Sequence, residues 1–320
     1  MATLKDIAKI TGLSTSSISR VLNGDESLNI SNEKKRLILK TAEDLNYKTV
    51  NVRRQTDGQI LIICSLSEQE EFNDPYYISI RVGAENYCIQ NKQKFKTIYF
   101  NQINDTNLNS FTGIIIIGQL SEESFIPIGK SKLPIVFADA NSKNQEYNCV
   151  TVDLRHITKI ALDKLYSSGA KNILYVGPFA ENTEYDIRYS SFRSYMSFNN
   201  KEGYYLETSF DTLDVYTKLL SFNGLKEIDG IFCANDNIAI GVLKYLQEAK
   251  INVPTDIQLV GVNDLPICEK ITPKLTTVRI HSDYIGEVAV RRLLELLINE
   301  TEHRMNYVVH SKLIERETTR

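Results

Sequence analysis

The chain has 320 residues, 42% of them hydrophobic and 24% charged, with a formal net charge of −3. That composition supplies a sizeable core and room for about two domains, and it excludes a collagen-like, mainly disordered or coiled-coil chain. No apolar run reaches the roughly 18 residues of a membrane helix, and the opening MATLKDIAKI is charged where an export signal must be apolar, so a cytoplasmic protein with no membrane partner is expected.

Residues 1–57 hold ten basic and seven acidic side chains, a surplus of three positive charges that leaves −6 for the rest. A basic head on an acidic body suits a nucleic-acid reader fused to something else. The head reads as three short helices. Thr3 caps the first, with Asp6 three places on, and Leu4, Ile7 and Ala8 lie on one face until Gly12 stops it. Ser14 caps a second helix with Ile18, Val21 and Leu22 inside, and Asn23-Gly24 ends it. Ser31 or Asn32 opens a third, with Leu37, Ile38, Ala42 and Leu45 as its inner face. Two helices across a tight glycine turn, braced by a third, make a helix-turn-helix. The second helix leaves Thr15, Ser16, Ser19, Arg20 and Asn23 outside. A guanidinium can bond guanine bidentately, and short hydroxyls can meet base edges or phosphates.

TLKDIAKITGLSTSSISRVLNG, followed by EDLNY, resembles the N-terminus of the lactose-repressor/galactose-repressor (LacI/GalR) family, and the likeness continues over essentially the whole chain. The resemblance implies that Thr15, Ser16 and Arg20 are the principal base readers. Ser14, Ser19, Asn23 and Tyr47 would support them or touch the backbone, with Thr3 and Leu4 counted among the DNA-contacting residues. Family members usually carry Pro-Asn after the tyrosine and then a hinge helix that wedges a leucine into the minor groove. Here 48–58 contains no proline, and Thr56 stands about where the leucine would be. Val52 is a substitute wedge or part of a flexible basic linker, in which Arg53 and Arg54 still meet phosphate or the narrow groove.

From Gln59 onward short β-branched runs alternate with helical segments. QILIICSL (59–66), KTIYF (96–100), GIIIIG (113–118), PIVFA (134–138) and CVTV (149–152) form one set of strands, with a helix over 75–90 between the first two. NILYVG (172–177), YYLET (204–208), GIFCA (230–234), IQLVGV (257–262) and TTVR (276–279) form a second. Helices are predicted over 154–168, 185–198, 237–249 and 282–297, and 307–314 returns to a sheet. Continuous apolar strands alternating with helices mean parallel sheets covered on both faces. The expected fold class is therefore a small all-α helix-turn-helix head (1–47), a linker (48–58) and an α/β two-lobed periplasmic-binding-protein-like body (59–320) with two doubly wound lobes. The first lobe takes about 59–152 and 282–305, the second about 153–279 and 306–320.

Ligands of such sheets sit beyond the C-terminal strand ends. The polar residues there are Asp139, Asn235-Asp236 and Asn263-Asp264, joined by Arg188 near a helix start. Singly, each Asn or Asp reads equally as a cap or turn residue. By the resemblance, Asp139, Arg188 in RYSSF, Asn235 in CANDNIAIG and Asn263 or Asp264 in GVND match effector positions, and Tyr76 and Tyr77 in NDPYYISIR wall the pocket. Ile280 stands where many members have glutamine. Five scattered cysteines without a CxxC pair read as buried thiols, and four unclustered histidines propose no metal site, so no cofactor is expected. GxGxxG after the first strand, GxxxxGK[ST] and GxSxG are absent, so no catalytic residue is proposed. The resemblance, closest in feel to galactose and β-galactoside operon repressors, implies a homodimeric repressor on a palindromic double-stranded operator, released by a sugar such as galactose. Two alternatives stay open: DNA binding promoted by a purine, a sugar phosphate or a partner protein, and a sugar-processing enzyme with a DNA-binding head.

Overall fold

The computed structural model describes residues 2–22, 28, 30–45, 47, 58–140, 146–181, 184–298 and 303–320. The head is a trio of helices, α1 (Leu4–Thr11), α2 (Thr15–Leu22) and α3 (Asn32–Asp44). Their shared core is small: Ile7, Ile18, Val21, Ile38 and Ala42 are buried, with Leu4, Leu13 and Tyr47 packed against them. The α1–α2 turn depends on Gly12, whose φ of +69° lets its N–H reach back to the Ala8 carbonyl at 2.9 Å. One expectation fails here. Leu37 is 45% exposed, because Ile38 and Ala42 already set the inward direction of α3 and Leu37 lies off it.

The body contains two six-stranded sheets. The first comprises β1 (Ile60–Cys64), β2 (Phe95–Tyr99), β3 (Gly113–Ile117), β4 (Ile135–Ala138) and β5 (Asn148–Val152), with β13 (Asn306–Val309) beside β5. Its order is β13-β5-β4-β3-β1-β2, parallel throughout. Every residue of β1 and β3 is buried, since period-two alternation sends each side chain to one of two covered faces. Ile60, Ile62, Ile115 and Ile117 face a cluster shared with α5 (Pro75–Gln90) and α11 (Ser282–Ile298), whereas Leu61, Ile63, Ile114 and Ile116 face the opposite cluster with α6 (Glu122–Gly129). A short α4 (Glu68–Asn73) precedes α5.

The second sheet runs β14-β12-β11-β10-β6-β9. It is built from β6 (Ile173–Gly177), β9 (Gly203–Glu207), β10 (Gly230–Cys233), β11 (Gln258–Asn263) and β12 (Thr276–Arg279), with β14 (Lys312–Ile314) antiparallel at the edge. Its helices are α7 (Leu154–Ser167), α8 (Ile187–Phe198), α9 (Thr212–Leu220) and α10 (Asp236–Glu248), and β7 (Ala180–Glu181) and β8 (Glu184–Tyr185) form a small hairpin before α8. The chain passes between lobes after β5, before α11 and between β13 and β14. That last passage corrects the expected boundary: 306–309 pairs with β5 in the first sheet, so the apolar run YVVHSKLI is two strands in two sheets.

Candidate DNA interface and effector cleft

Thr3 and Asp6 form a reciprocal cap on α1. The Thr3 N–H donates to Asp6 Oδ2 at 2.7 Å and the Asp6 N–H to Thr3 Oγ1 at 3.3 Å. The Thr3 hydroxyl, which also donates to Asp6 Oδ2 at 2.7 Å, and then the Thr3 N–H hold the Asp6 carboxyl below its ordinary range. Ser14 Oγ accepts the Ser17 N–H at 3.1 Å and so caps α2, lying also 3.0 and 2.8 Å from the Ser16 and Ser17 hydroxyls. Two of the expected DNA contacts, Thr3 and Ser14, therefore also shape the helix starts. With 3.6 residues per turn, Thr15, Ser16, Ser19 and Arg20 span about 140° of α2, opposite Ile18 and Val21. Thr15, Ser16 and Arg20 are exposed and Ser19 is half-buried. Leu4 is half-buried on the head core, as is Tyr47, whose N–H donates to the Ala42 carbonyl at 2.8 Å. Asn23, Arg53 and Arg54 lie outside the described residues, as does the linker at 48–57.

In the first lobe, Asp74 caps α5 by accepting the Tyr76 N–H at 3.2 Å, and Pro75 occupies the first helical position, where a missing N–H costs nothing. Burial raises the Asp74 carboxyl, against the opposing pull of Arg188. Tyr76 is buried and packs edge-on to Tyr77 with 5.2 Å between centroids. Its phenol bonds Asp139, which sits at φ +59° just past β4, and burial holds that phenol well above its ordinary value.

In the second lobe, Asp186 caps α8 through the Arg188 N–H at 2.8 Å and also grips the guanidinium, Nε to Oδ1 at 3.0 Å and Nη2 to Oδ2 at 2.6 Å. Burial works to raise the Asp186 carboxyl, but Arg188 prevails and holds it low. Nη1 donates to the Ala234 carbonyl at 3.1 Å, and the guanidinium lies 5.1 Å from the Phe210 ring centroid. Asn235, next along, caps α10 with Oδ1 on the Ile238 N–H at 3.0 Å. Electrostatic coupling of Arg188 to Asp74, Tyr76 and Tyr77 places the two lobes' residues around one cleft. An acid, two phenols, an amide and a fixed guanidinium are groups of the kind that hydrogen-bond a polyhydroxylated molecule.

The family model described as "Bacterial regulatory proteins, lacI family" matches residues 3–49, and one for a periplasmic binding protein-like domain matches 162–319. The HTH-type transcriptional regulator GalR of Streptococcus thermophilus is 33% identical over 315 residues, covering 93% of each chain. The chain belongs to the LacI family. The HTH-type transcriptional repressor MelR of Bacillus subtilis is 30% identical over 94% of this chain and 93% of that one. A lac repressor dimer bound to operator and the anti-inducer ONPF shares the fold at TM-score 0.71 and 20% identity, over 99% of both chains. This LacI-family chain is thus a DNA-binding transcription regulator with a two-lobed effector body, and its relatives are regulators by name.

Of the two GVND candidates, Asp264 is committed within its own lobe. Its Oδ2 accepts Arg279 Nε at 2.6 Å, and Arg316 Nη2 lies 2.7 Å from Oδ1 but off the line of a hydrogen bond. Asn263, at φ +115°, is half-buried at the strand end and is the better placed of the pair for a ligand. Sequence reasoning missed Asp74, Asp186 and Phe210. The first two had a legible signal, an acid immediately before Pro75 and an acid two places before Arg188, both helix-cap positions. Phe210 had none, since its importance lies in a contact across sequence with Arg188. Among the described residues no group of three His, Cys, Asp or Glu could hold a metal, and no helix is long and apolar enough to cross a membrane.

Proposed function

We propose that this regulator is a cytoplasmic, homodimeric repressor of sugar-utilisation genes, without catalytic activity, released from a palindromic operator when a sugar such as galactose enters the cleft. One recognition helix reads only a few base pairs, so two heads on one symmetric site are needed to reach useful affinity. Thr15, Ser16 and Arg20 carry base reading, supported by Thr3, Leu4, Ser14, Ser19 and Tyr47. The observation that carries the effector reading is Arg188: a guanidinium pinned by Asp186 and backed by Phe210 is preorganised to chelate vicinal hydroxyls opposite Asp139. Tyr76, Tyr77, Asn235 and Asn263 complete the set of contacts, and Asp264 braces it.

The sign of control follows from differential binding: a sugar that prefers the lobe arrangement with misplaced heads weakens the operator complex. Calorimetry with galactose, purines and sugar phosphates, together with operator titrations in their presence, tests this. Galactose is expected to bind and to release operator, and Arg188→Ala to weaken galactose about 100-fold while leaving operator affinity without sugar unchanged. Operator binding that tightens with the ligand would reverse the assignment, and turnover of a sugar would replace it.

A further inference from the structure

Two consecutive residues at the end of β11, Asn263 and Asp264, have φ angles of +115° and +59°. Residues other than glycine enter that half of the φ range at a cost, and asparagine and aspartate do so most readily as single residues. Two in a row persist only where the surroundings hold them. What holds them lies underneath. Asp236, the first residue of α10, is fully buried, and its Oδ2 accepts the Leu265 N–H at 2.8 Å. Its Oδ1 accepts the hydroxyl of Thr277, itself fully buried on β12, at 2.7 Å, and that hydroxyl in turn accepts the Asp264 N–H at 3.3 Å. A threonine hydroxyl has one proton to give and lone pairs to receive, so it makes both bonds at once. Two successive amides of the turned segment are therefore tied to one carboxylate, the first through Thr277 and the second directly.

The neighbouring residues fit this clasp. A Cβ at Gly261 on β11 would stand 2.3 Å from Asp236 Oδ1, so glycine there leaves the carboxylate its place. Arg279 Nε holds the Asp264 carboxylate at 2.6 Å, which leaves Asn263 as the member of the pair available to a ligand. Asp236 also directly follows Asn235, whose Oδ1 accepts the Ile238 N–H at 3.0 Å. One buried carboxylate thus joins the two segments that carry the amides proposed to meet the effector.

We propose that Asp236 and Thr277 are positioning residues for the effector: without touching it, they clamp the 263–265 turn so that the Asn263 side chain is fixed relative to Asn235. The proposal rests on reading the cleft as a sugar site with Asn263 as a contact. Its test pairs hydrogen exchange of the 263–266 segment in the sugar-free full chain with calorimetry of galactose. The forms compared are the native protein, Thr277→Val, Thr277→Ser, Asn263→Gly and the Thr277→Val/Asn263→Gly double variant. The segment should exchange slowly in the native chain and in Thr277→Ser, and at least about ten-fold faster in Thr277→Val, which keeps the shape and removes the relay. Thr277→Val should weaken galactose about ten-fold and Thr277→Ser should restore it. In the Asn263→Gly background, which tolerates the positive φ and has no side chain to place, Thr277→Val should weaken galactose no further, a non-additivity that lost stability alone does not produce. Fast exchange of the segment in the native chain would overturn the clasp, whatever the variants do. Galactose bound as tightly by Thr277→Val as by the native chain, or weakened equally in both backgrounds, would overturn the positioning role and leave the cleft reading intact. No galactose binding by the native chain, with the segment still protected, would overturn the cleft reading, and the positioning role falls with it.

Discussion

Arg20 is the one exposed guanidinium on the outer face of α2, and a bidentate base contact discriminates by about 1–3 kcal/mol. Arg20→Ala should therefore narrow the gap between operator and random duplex about ten- to hundred-fold, with galactose affinity unchanged; competition binding with both duplexes reads the first and calorimetry the second. Asp236 makes a different kind of prediction. It is fully buried, and that burial raises its carboxyl from 3.8 to about 7, although the Thr277 hydroxyl at 2.7 Å and the Leu265 N–H at 2.8 Å pull the other way. The folded protein then holds this proton more tightly than the unfolded chain. Stability from protonation is complete below about pH 4 and is lost as pH rises through about 7. Asp236→Asn cannot lose a proton, and the Thr277 hydroxyl can turn to accept from the new amide. Urea melts at pH 5 and pH 8 should show a smaller loss in the variant than in the native chain, by on the order of 2 kcal/mol. The sequence placed Asp236 at a strand end and could say no more. Its role as a tie between α10, the loop after β11 and β12 depends on partners 29 and 41 residues away, which no local pattern reveals.

At the scale of elements, α5 and α11 cross through two glycines. A Cβ on Gly83 would stand 2.0 Å from the Asp283 carbonyl oxygen, and one on Gly286 the same distance from that of Ile80. Backbone meets backbone at both points, so the helices must separate to admit even a methyl group. Gly286→Ala should cost about 1–3 kcal/mol, a fall of several degrees in thermal midpoint. Because Asp74 caps α5 and Tyr76 lies in its first turn, galactose affinity should fall with it, whereas Gly169→Ala, at a surface turn with no atom within 4 Å, should cost about 1 kcal/mol through its φ of +91° alone and leave binding unchanged. Most elements were legible because their apolar spacing was strong: the predicted helix over 282–297 is observed as Ser282–Ile298. Those that were missed had weak or misleading patterns. α9 turns Leu213 and Leu220 outward, at 68% and 62% exposure, and α6 carries Pro127 inside it. The split between β13 and β14 was illegible for another reason: both segments look like strand, and only tertiary pairing decides which sheet each joins.

On the scale of the whole molecule, head and body have separate hydrophobic cores, so on the proposed function a ligand in the cleft acts on the head through the arrangement of the lobes rather than by direct contact. Thermodynamic linkage then fixes a relation that no single-site measurement tests. If the sugar weakens operator binding by some factor, operator must weaken sugar binding by the same factor, for allosteric couplings typically 5–150-fold. Salt separates this coupling from simple electrostatics. Counterion release makes operator affinity fall steeply, by about 10³-fold or more between 50 and 200 mM salt for six or more phosphate contacts. The proposed ligand is a neutral sugar, so its intrinsic affinity should move little over that range. Calorimetric titration of galactose into the free protein and into the saturated operator complex, at both salt concentrations, should give one ratio of sugar affinities at each salt, equal to the ratio of operator affinities with and without sugar. A ratio near one at either salt, with galactose still bound, would mean that the cleft does not control the heads and that the two-lobed body serves a purpose other than induction.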